Sequence, residues 1–248
     1  MKSSLSIVVL THNDESKIVD CLECLSFADE LIVVDDNSHD RTVELAKQFT
    51  DKIYVRELNR NFSNQRNFAL NNVHSTWVLF VDSDELVSKA LRDEILQAIE
   101  KKGISGFSLK RFDYVWGKKM THGELSQVKL LRLAKKDDGK WHGKVHETLK
   151  VIGEIGELAQ PLLHVPHQNI KEFVSDIDEY STLRAEELME KGVSSSVFQV
   201  ICFPLGKFIQ NYIVRQGYKD GIPGMLYALM MSFHSFLVRA KLYQLNHG

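Results

Sequence analysis

The sequence is poor in the residues that staple or stiffen a small scaffold, with three cysteines and four prolines among 248 positions. An odd, small cysteine count argues against a disulfide framework and agrees with a reducing compartment. Cys21 and Cys24 form C-x-x-C, but no second pair completes a zinc site, and the surrounding segment has the apolar spacing of a helix. Charge excess is lacking too: the formal net charge of −2 gives no case for nucleic-acid binding. No apolar stretch of signal-peptide form follows Met1-Lys2-Ser3-Ser4, so a cytoplasmic protein is expected. Neither G-x-G-x-x-G nor G-x-x-x-x-G-K-[ST] occurs. A bound phosphate would therefore be held by a metal rather than by a glycine-rich backbone cradle.

What is present is a globular composition, 44% hydrophobic and 26% charged, in a chain long enough to bury a large core. Its centre is Trp77-Val78-Leu79-Phe80-Val81, an apolar run that reads as a strand buried on both faces. The run breaks into Asp82-Ser83-Asp84-Glu85. If the strand continued, Asp82 and Asp84 would point the same way, and two hard oxygen donors suit Mg²⁺ or Mn²⁺. A solvated acidic turn is the plainer alternative. Two earlier apolar runs, Leu5–Leu10 and Leu31–Val34, also end in polar clusters, Thr11–Glu15 and Asp35–Ser38. In open α/β sheets such strand ends converge on one crevice, where ligands bind.

Strands alternate with helical spacing at Ile18–Leu25, Val43–Phe49, Asn64–Val73 and Leu91–Ile99, which predicts a parallel sheet with crossover helices. After Gly103 the runs Phe107–Phe112 and Gln127–Leu133 alternate like antiparallel strands, and Leu162–Val165 is expected to be the last strand. Charged Ile170–Lys191 and apolar Val200–Arg215 and Met225–Leu245 read as helices. The expected division is a catalytic domain over 1–168, with halves 1–102 and 103–168, and a helical region over 169–248.

The motifs Ser6-Ile7-Val8-Val9-Leu10-Thr11-His12-Asn13, Val33-Val34-Asp35-Asp36-Asn37-Ser38-His39-Asp40, Ser63-Asn64-Gln65-Arg66-Asn67 and Leu79–Glu85 resemble family 2 inverting glycosyltransferases. The resemblance implies a GT-A fold, a Rossmann-like mixed α/β sheet, with a nucleoside-diphosphate-sugar donor and a divalent metal, Mg²⁺ or Mn²⁺, at Asp-x-Asp. Carried onto this chain, Thr11 and Asp36 would contact base and ribose, with Asn13, Glu15, Asp82 and Ser83 in the same nucleotide site. Arg66 would lie along the nucleotide, and Asp84 would be the firmest metal ligand. Trp141–Leu149, Pro161–His164 and Gly217–Gly221 resemble the lipopolysaccharide-core branch, which includes β-1,4-glucosyltransferases acting on the inner-core heptose. UDP-glucose and a lipid A–core acceptor follow from that resemblance alone.

An inverting transfer needs a base at the acceptor hydroxyl, opposite the leaving diphosphate. Many relatives have Glu-Asp there; this chain has His146-Glu147, and Glu147 is the candidate base. His164, ending a strand, is a candidate third metal ligand or phosphate contact, in competition with His142 and His146 and with a plain core role. Trp116 and Trp141 are candidates for a platform under a sugar ring, or core.

From Phe198 to Gly248 the chain carries five basic residues and one acid, Asp220, a net +4 that leaves −6 for the rest. Within it Ile222–Val238 is seventeen residues without charge, short of the ~20 that span a bilayer. Pro223 and Gly224 are expected to shorten any helix there. Basic flanks with aromatic and methionine residues suit a helix lying on the cytoplasmic face of the inner membrane, with docking on the catalytic domain or a homo-oligomer contact as alternatives. A phospho-acceptor receiver domain is a second class, but no lysine can be placed at a further strand end. A non-catalytic nucleotide-sugar sensor would keep Asp36 and Asp84 without needing Glu147.

Overall fold

The structure, a computed structural model, describes residues 3–143, 147–166 and 169–247. In chain order the elements are β1 (Leu5–Thr11), α1 (Ile18–Cys24), β2 (Glu30–Asp35), α2 (Thr42–Ala46), β3 (Ile53–Val55), α3 (Phe62–Asn71), β4 (Trp77–Asp82), β5 (Glu85–Leu86) and α4 (Lys89–Ala98). Then come β6 (Ile104–Val115), β7 (Lys118–Lys119), β8 (Lys129–Lys135), β9 (Gly139–His142), β10 (Thr148–Val151), β11 (Glu154–Glu157), β12 (Leu162–His164), α5 (Ile170–Glu190), α6 (Val197–Ile209) and α7 (Gly221–His247).

Two compact units result: Met1–Arg111 with Lys129–His164, and Phe112–Val128 with Val165–Gly248. The segment 112–128, expected in the catalytic domain, groups with the C-terminal unit. The reason is packing: Val115 and Met120 share a buried cluster with Phe173, Ile177 and Tyr227.

The first unit is built on a mixed sheet of order β3-β2-β1-β4-β8-β6-β12-β5. β3, β2, β1 and β4 run parallel, and β8 pairs antiparallel with both β4 and β6. Burial on both faces explains the unbroken apolar runs, since Ile7, Val9, Leu79 and Val81 enter one core and Val8, Ile32, Val78 and Phe80 the other. Helix starts follow local chemistry. Asn61 caps α3 by accepting from the Asn64 N–H at 3.0 Å, and Ser88 caps α4 by accepting from Leu91 at 3.2 Å.

In the second unit, α7 packs against α5 and α6. Pro223 and Gly224 do not shorten α7, which runs through 27 residues from Gly221. Pro223 sits in the first turn, where the missing N–H has no intrahelical acceptor to lose. Gly224 is required there, because a Cβ would fall 2.0 Å from the Gly217 carbonyl oxygen. Asp220, within the Gly217–Gly221 motif, is 1% exposed and accepts hydrogen bonds from the Thr121 and His122 N–H groups at 3.0 and 2.8 Å. That carboxylate fastens the start of α7 to the segment after β7.

Candidate active site

The carboxyl ends of β1, β2 and β4 are tied to one another by side chains. Asp14 is the hub: its Oδ2 accepts from the Thr11 hydroxyl at 2.9 Å, the His12 N–H at 3.0 Å and the Ser83 hydroxyl at 2.5 Å. Asn13 and Asn37 sit in the left-handed region at φ +52° and +50°, tolerable for asparagine. The Asn13 N–H donates to Ser38 Oγ at 2.8 Å, and Ser38 in turn donates to the fully buried Asp35. Asp36 Oδ1 accepts from the Leu58 N–H at 2.7 Å, while its Oδ2 has no hydrogen bond among the described residues. Glu15 is exposed, and its carboxylate accepts from the Arg41 N–H at 3.1 Å.

At the end of β4 the chain does not continue straight. Residues 83 and 84 form a turn, so the acids of Asp-Ser-Asp separate. Asp82 accepts from Arg66 Nη2 and Arg132 Nη2, each at 2.7 Å. Asp84 Oδ2 lies 3.2 Å from His164 Nε2. The side-by-side orientation expected of Asp82 and Asp84 therefore gives way to two different pairings. Burial alone would raise Asp82, but the Arg132 and Arg66 charges outweigh it and hold the carboxyl well below the usual range. Burial opposes ionisation of Asp84 as well, and His164 tips the balance toward the carboxylate. Glu85 is fully buried, and burial pushes it up to about 7 against the pull of Arg132.

Arg66, expected along the nucleotide, is instead 3% exposed. Its Nη2 meets Asp82, its Nε donates to Glu147 Oε1 at 2.8 Å, and its guanidinium lies 4.6 Å from the centre of the Trp141 ring. Trp141 is accordingly buried core rather than an open sugar platform; it meets Phe80 edge-on at 5.0 Å. Asn67 anchors β9, exchanging hydrogen bonds with the Trp141 carbonyl and N–H at 2.9 and 3.0 Å. Glu147 Oε2 has no partner among the described residues. His142 is exposed on β9, and His146 lies outside the described residues. Trp116 belongs to the second unit, half-buried beside Phe173.

Sequence reasoning missed Asp14 and Arg132. The sequence signal for Arg132 is a charge set in Leu130-Leu131-Arg132-Leu133, since a cation in a buried strand needs a carboxylate. Asp14 carried no separate signal within its polar cluster.

Residues 6–148 match the model of glycosyl transferase family 2, more than half the chain. The protein belongs to this family. Along 98% of its length the chain is 29% identical to the lipopolysaccharide core biosynthesis glycosyltransferase LpsC of Rhizobium meliloti, covering 93% of that protein. It is 25% identical to the uncharacterized glycosyltransferase RT0209 of Rickettsia typhi, over 98% of this chain and 87% of the other. Among solved structures, glucosyl-3-phosphoglycerate synthase from Mycobacterium tuberculosis, in complex with phosphoglyceric acid, superposes with a TM-score of 0.51. The match covers 78% of this chain and 82% of that one at 18% identity. The glycosyltransferase thus has the GT-A fold, a mixed α/β sheet with C-terminal helices.

A divalent ion is implied by the family. Among the described residues no group of three or more His, Cys, Asp or Glu is disposed to hold one. The Asp84–His164 pair, 24% and 13% exposed, still offers one hard oxygen and one imidazole nitrogen. Mg²⁺ and Mn²⁺ sites on nucleotide substrates commonly use one or two protein ligands and complete the shell with phosphate and water. The donor set fits such an ion.

Proposed function

We propose that this glycosyltransferase moves a hexose, glucose from UDP-glucose, with inversion onto a heptose hydroxyl of the lipopolysaccharide inner core. The observation that carries the chemistry is Glu147, whose Oε1 is fixed by Arg66 while Oε2 keeps no partner among the described residues. Oε2 is then the acceptor for the hydroxyl proton as the hydroxyl oxygen bonds to the sugar C1 and the C1–diphosphate bond breaks, releasing UDP. Arg66 is a positioning residue in this scheme, held by Asp82 and Trp141. Thr11, Asn13, Asp36 and Ser83 line the nucleotide side, with Asp36 Oδ2 available to a ribose hydroxyl. Asp84 and His164 would hold Mg²⁺ or Mn²⁺, which when bound neutralises charge on the departing diphosphate.

The lipopolysaccharide acceptor is supported by the full-length likeness to LpsC. A lipid-linked acceptor places the enzyme at the cytoplasmic face of the inner membrane, as a peripheral protein. The segments Val197–Val214 and Gly217–His247 have the length and apolar composition of helices that could cross a membrane, which supports contact with a bilayer. Glu147→Gln tests the base. Turnover should fall about 100-fold or more, while the thermal stabilisation by UDP-glucose and Mn²⁺ stays near that of the parent. Near-normal turnover would remove Glu147 from the mechanism.

A further inference from the structure

Helix α6 is the anomaly of the second unit. Its sequence, Val-Phe-Gln-Val-Ile-Cys-Phe-Pro-Leu-Gly-Lys-Phe-Ile, is almost wholly apolar, yet none of its residues is buried. Helices apolar on most sides are normally covered. One side of α6 is engaged: the Pro204 carbonyl accepts from Ser232 at 2.8 Å, and Arg239 lies 4.3 Å from the Phe203 ring centre. The other side carries Phe198, Ile201 and Leu205, spaced along one stripe and 71%, 58% and 59% exposed. The segment after α6 adds Val214 at 70% and Tyr218 at 49%.

Charge decides what covers this stripe. From Gly192 to His247 the only acidic residue is Asp220, which is 1% exposed and bonded to Thr121 and His122. Arg215 and Lys219 are exposed in the same stretch. The surface therefore presents cations and apolar groups, and the carboxylate beside it, Glu124, is 18% exposed, taken up by Lys207 and 3.9 Å from Arg215. A second copy docked about a two-fold axis would set like charge against like. Anionic lipid headgroups complement it, and the acyl boundary takes the stripe. A spanning arrangement of α6 would draw the Lys207–Glu124 ion pair into hydrocarbon, which is expensive.

We infer that α6 lies in the headgroup–acyl boundary of an anionic bilayer, with Phe198, Ile201 and Leu205 inserted and Arg215 and Lys219 among the headgroups. This rests on the membrane placement proposed above and moves the anchor from Ile222–Val238 to α6. In α7, Gly224, Tyr227, Ala228, Val238 and Leu242 are already buried within the protein.

Flotation of the full-length enzyme with vesicles tests it, using phosphatidylethanolamine mixed with phosphatidylglycerol against phosphatidylcholine alone. The enzyme should float with the anionic vesicles, less so in high salt, and Phe198→Glu/Ile201→Glu should bind about tenfold more weakly or worse. Both positions are exposed, so the helical circular dichroism and the stabilisation by UDP-glucose should not change. If the parent enzyme stays unbound while that stabilisation persists, the membrane placement fails and the transferase reading stands. If the double variant floats like the parent, the assignment to α6 is overturned. A parent dimer that the double variant dissociates, with flotation unaltered, would give the stripe to a second copy.

Discussion

Arg132 is 6% exposed and joins two carboxylates: Asp82 at 2.7 Å and Glu85 at 3.8 Å. Arg132→Met keeps the aliphatic stem and deletes the charge. Asp82 would keep the Arg66 guanidinium, and Glu85, fully buried, would keep the Asp82 N–H at 2.9 Å and, among the described cations, Arg111 at 4.0 Å. Removing one member of a buried ion pair typically costs about 3–5 kcal/mol, because the remaining charge stays desolvated. The Asp82 side chain is 30% exposed, so water can take over its freed oxygen, which places the loss near the low end, about 3 kcal/mol. For a chain of this size that lowers Tm by roughly 6–12 °C. Glu85 also sets a pH dependence. Its carboxyl is raised by burial to about 7, so the folded state holds its proton where the unfolded state releases it. The stability this confers is present below the unfolded value and is lost as the pH rises through 7. Without Arg132 the carboxyl rises further and the decline extends to higher pH. Glu85→Gln in the Arg132→Met background should flatten that decline and restore part of the loss, a coupling read from a double-mutant cycle in urea. A loss under about 1 kcal/mol for Arg132→Met, or strict additivity of the two changes, would refute the ion-pair reasoning.

Glu30 gives the opposite slope. Burial would raise its carboxyl, but hydrogen bonds from the His74 N–H, Lys52 and Ser6 pull it down to about 2. Its contribution, about 2–3 kcal/mol, is present above pH ~4.5 and lost as the pH falls toward 2. The gap in urea stability between the parent and Glu30→Gln should close across that window, and a constant gap would contradict it. His164→Ala should abolish the extra stabilisation of the UDP complex by Mn²⁺ while leaving metal-free UDP binding in place, as calorimetry would show; an unchanged metal effect removes His164 from the ligand set. Gly224→Ala places a methyl against the Gly217 carbonyl oxygen and should destabilise the enzyme by about 2 kcal/mol or more, seen in thermal melts. A neutral outcome would mean that the close approach relaxes freely.

The parallel half of the sheet was legible because its strands are buried on both faces. Burial there demands β-branched and apolar residues without interruption, as in Leu5–Leu10, Leu31–Val34 and Trp77–Val81. The helices over Leu91–Ile99 and Ile170–Lys191 were legible from their spacing and their charged faces. The membership of 112–128 in the second unit was not, since Val115 and Met120 are placed by residues distant in sequence. The acids of the site could be located from their strand ends, but their orientation could not. Asp82 turns to Arg132, fifty residues on, and Asp84 to His164, eighty residues on.

That division of the acid pair bears on how the site can work. A spacing of two on a strand implies a shared direction, and a metal bridging both oxygens follows from it. The turn after Asp82 breaks the premise, and the two arginines engage both Asp82 oxygens. In the proposed scheme Asp82 then acts through Arg66, whose Nε donates to Glu147 at 2.8 Å and whose guanidinium rests on Trp141. The acid cluster thereby serves two different ends. In that scheme Asp84, with His164, would face the leaving group, while Asp82 would set the direction of the carboxylate that takes the proton. A charge-neutral Asp82→Asn would weaken both guanidinium contacts at once and loosen Glu147 without removing it. Its signature should be a lower kcat at a nearly unchanged KM for the donor. A variant with a raised donor KM and a normal kcat would instead return Asp82 to the nucleotide.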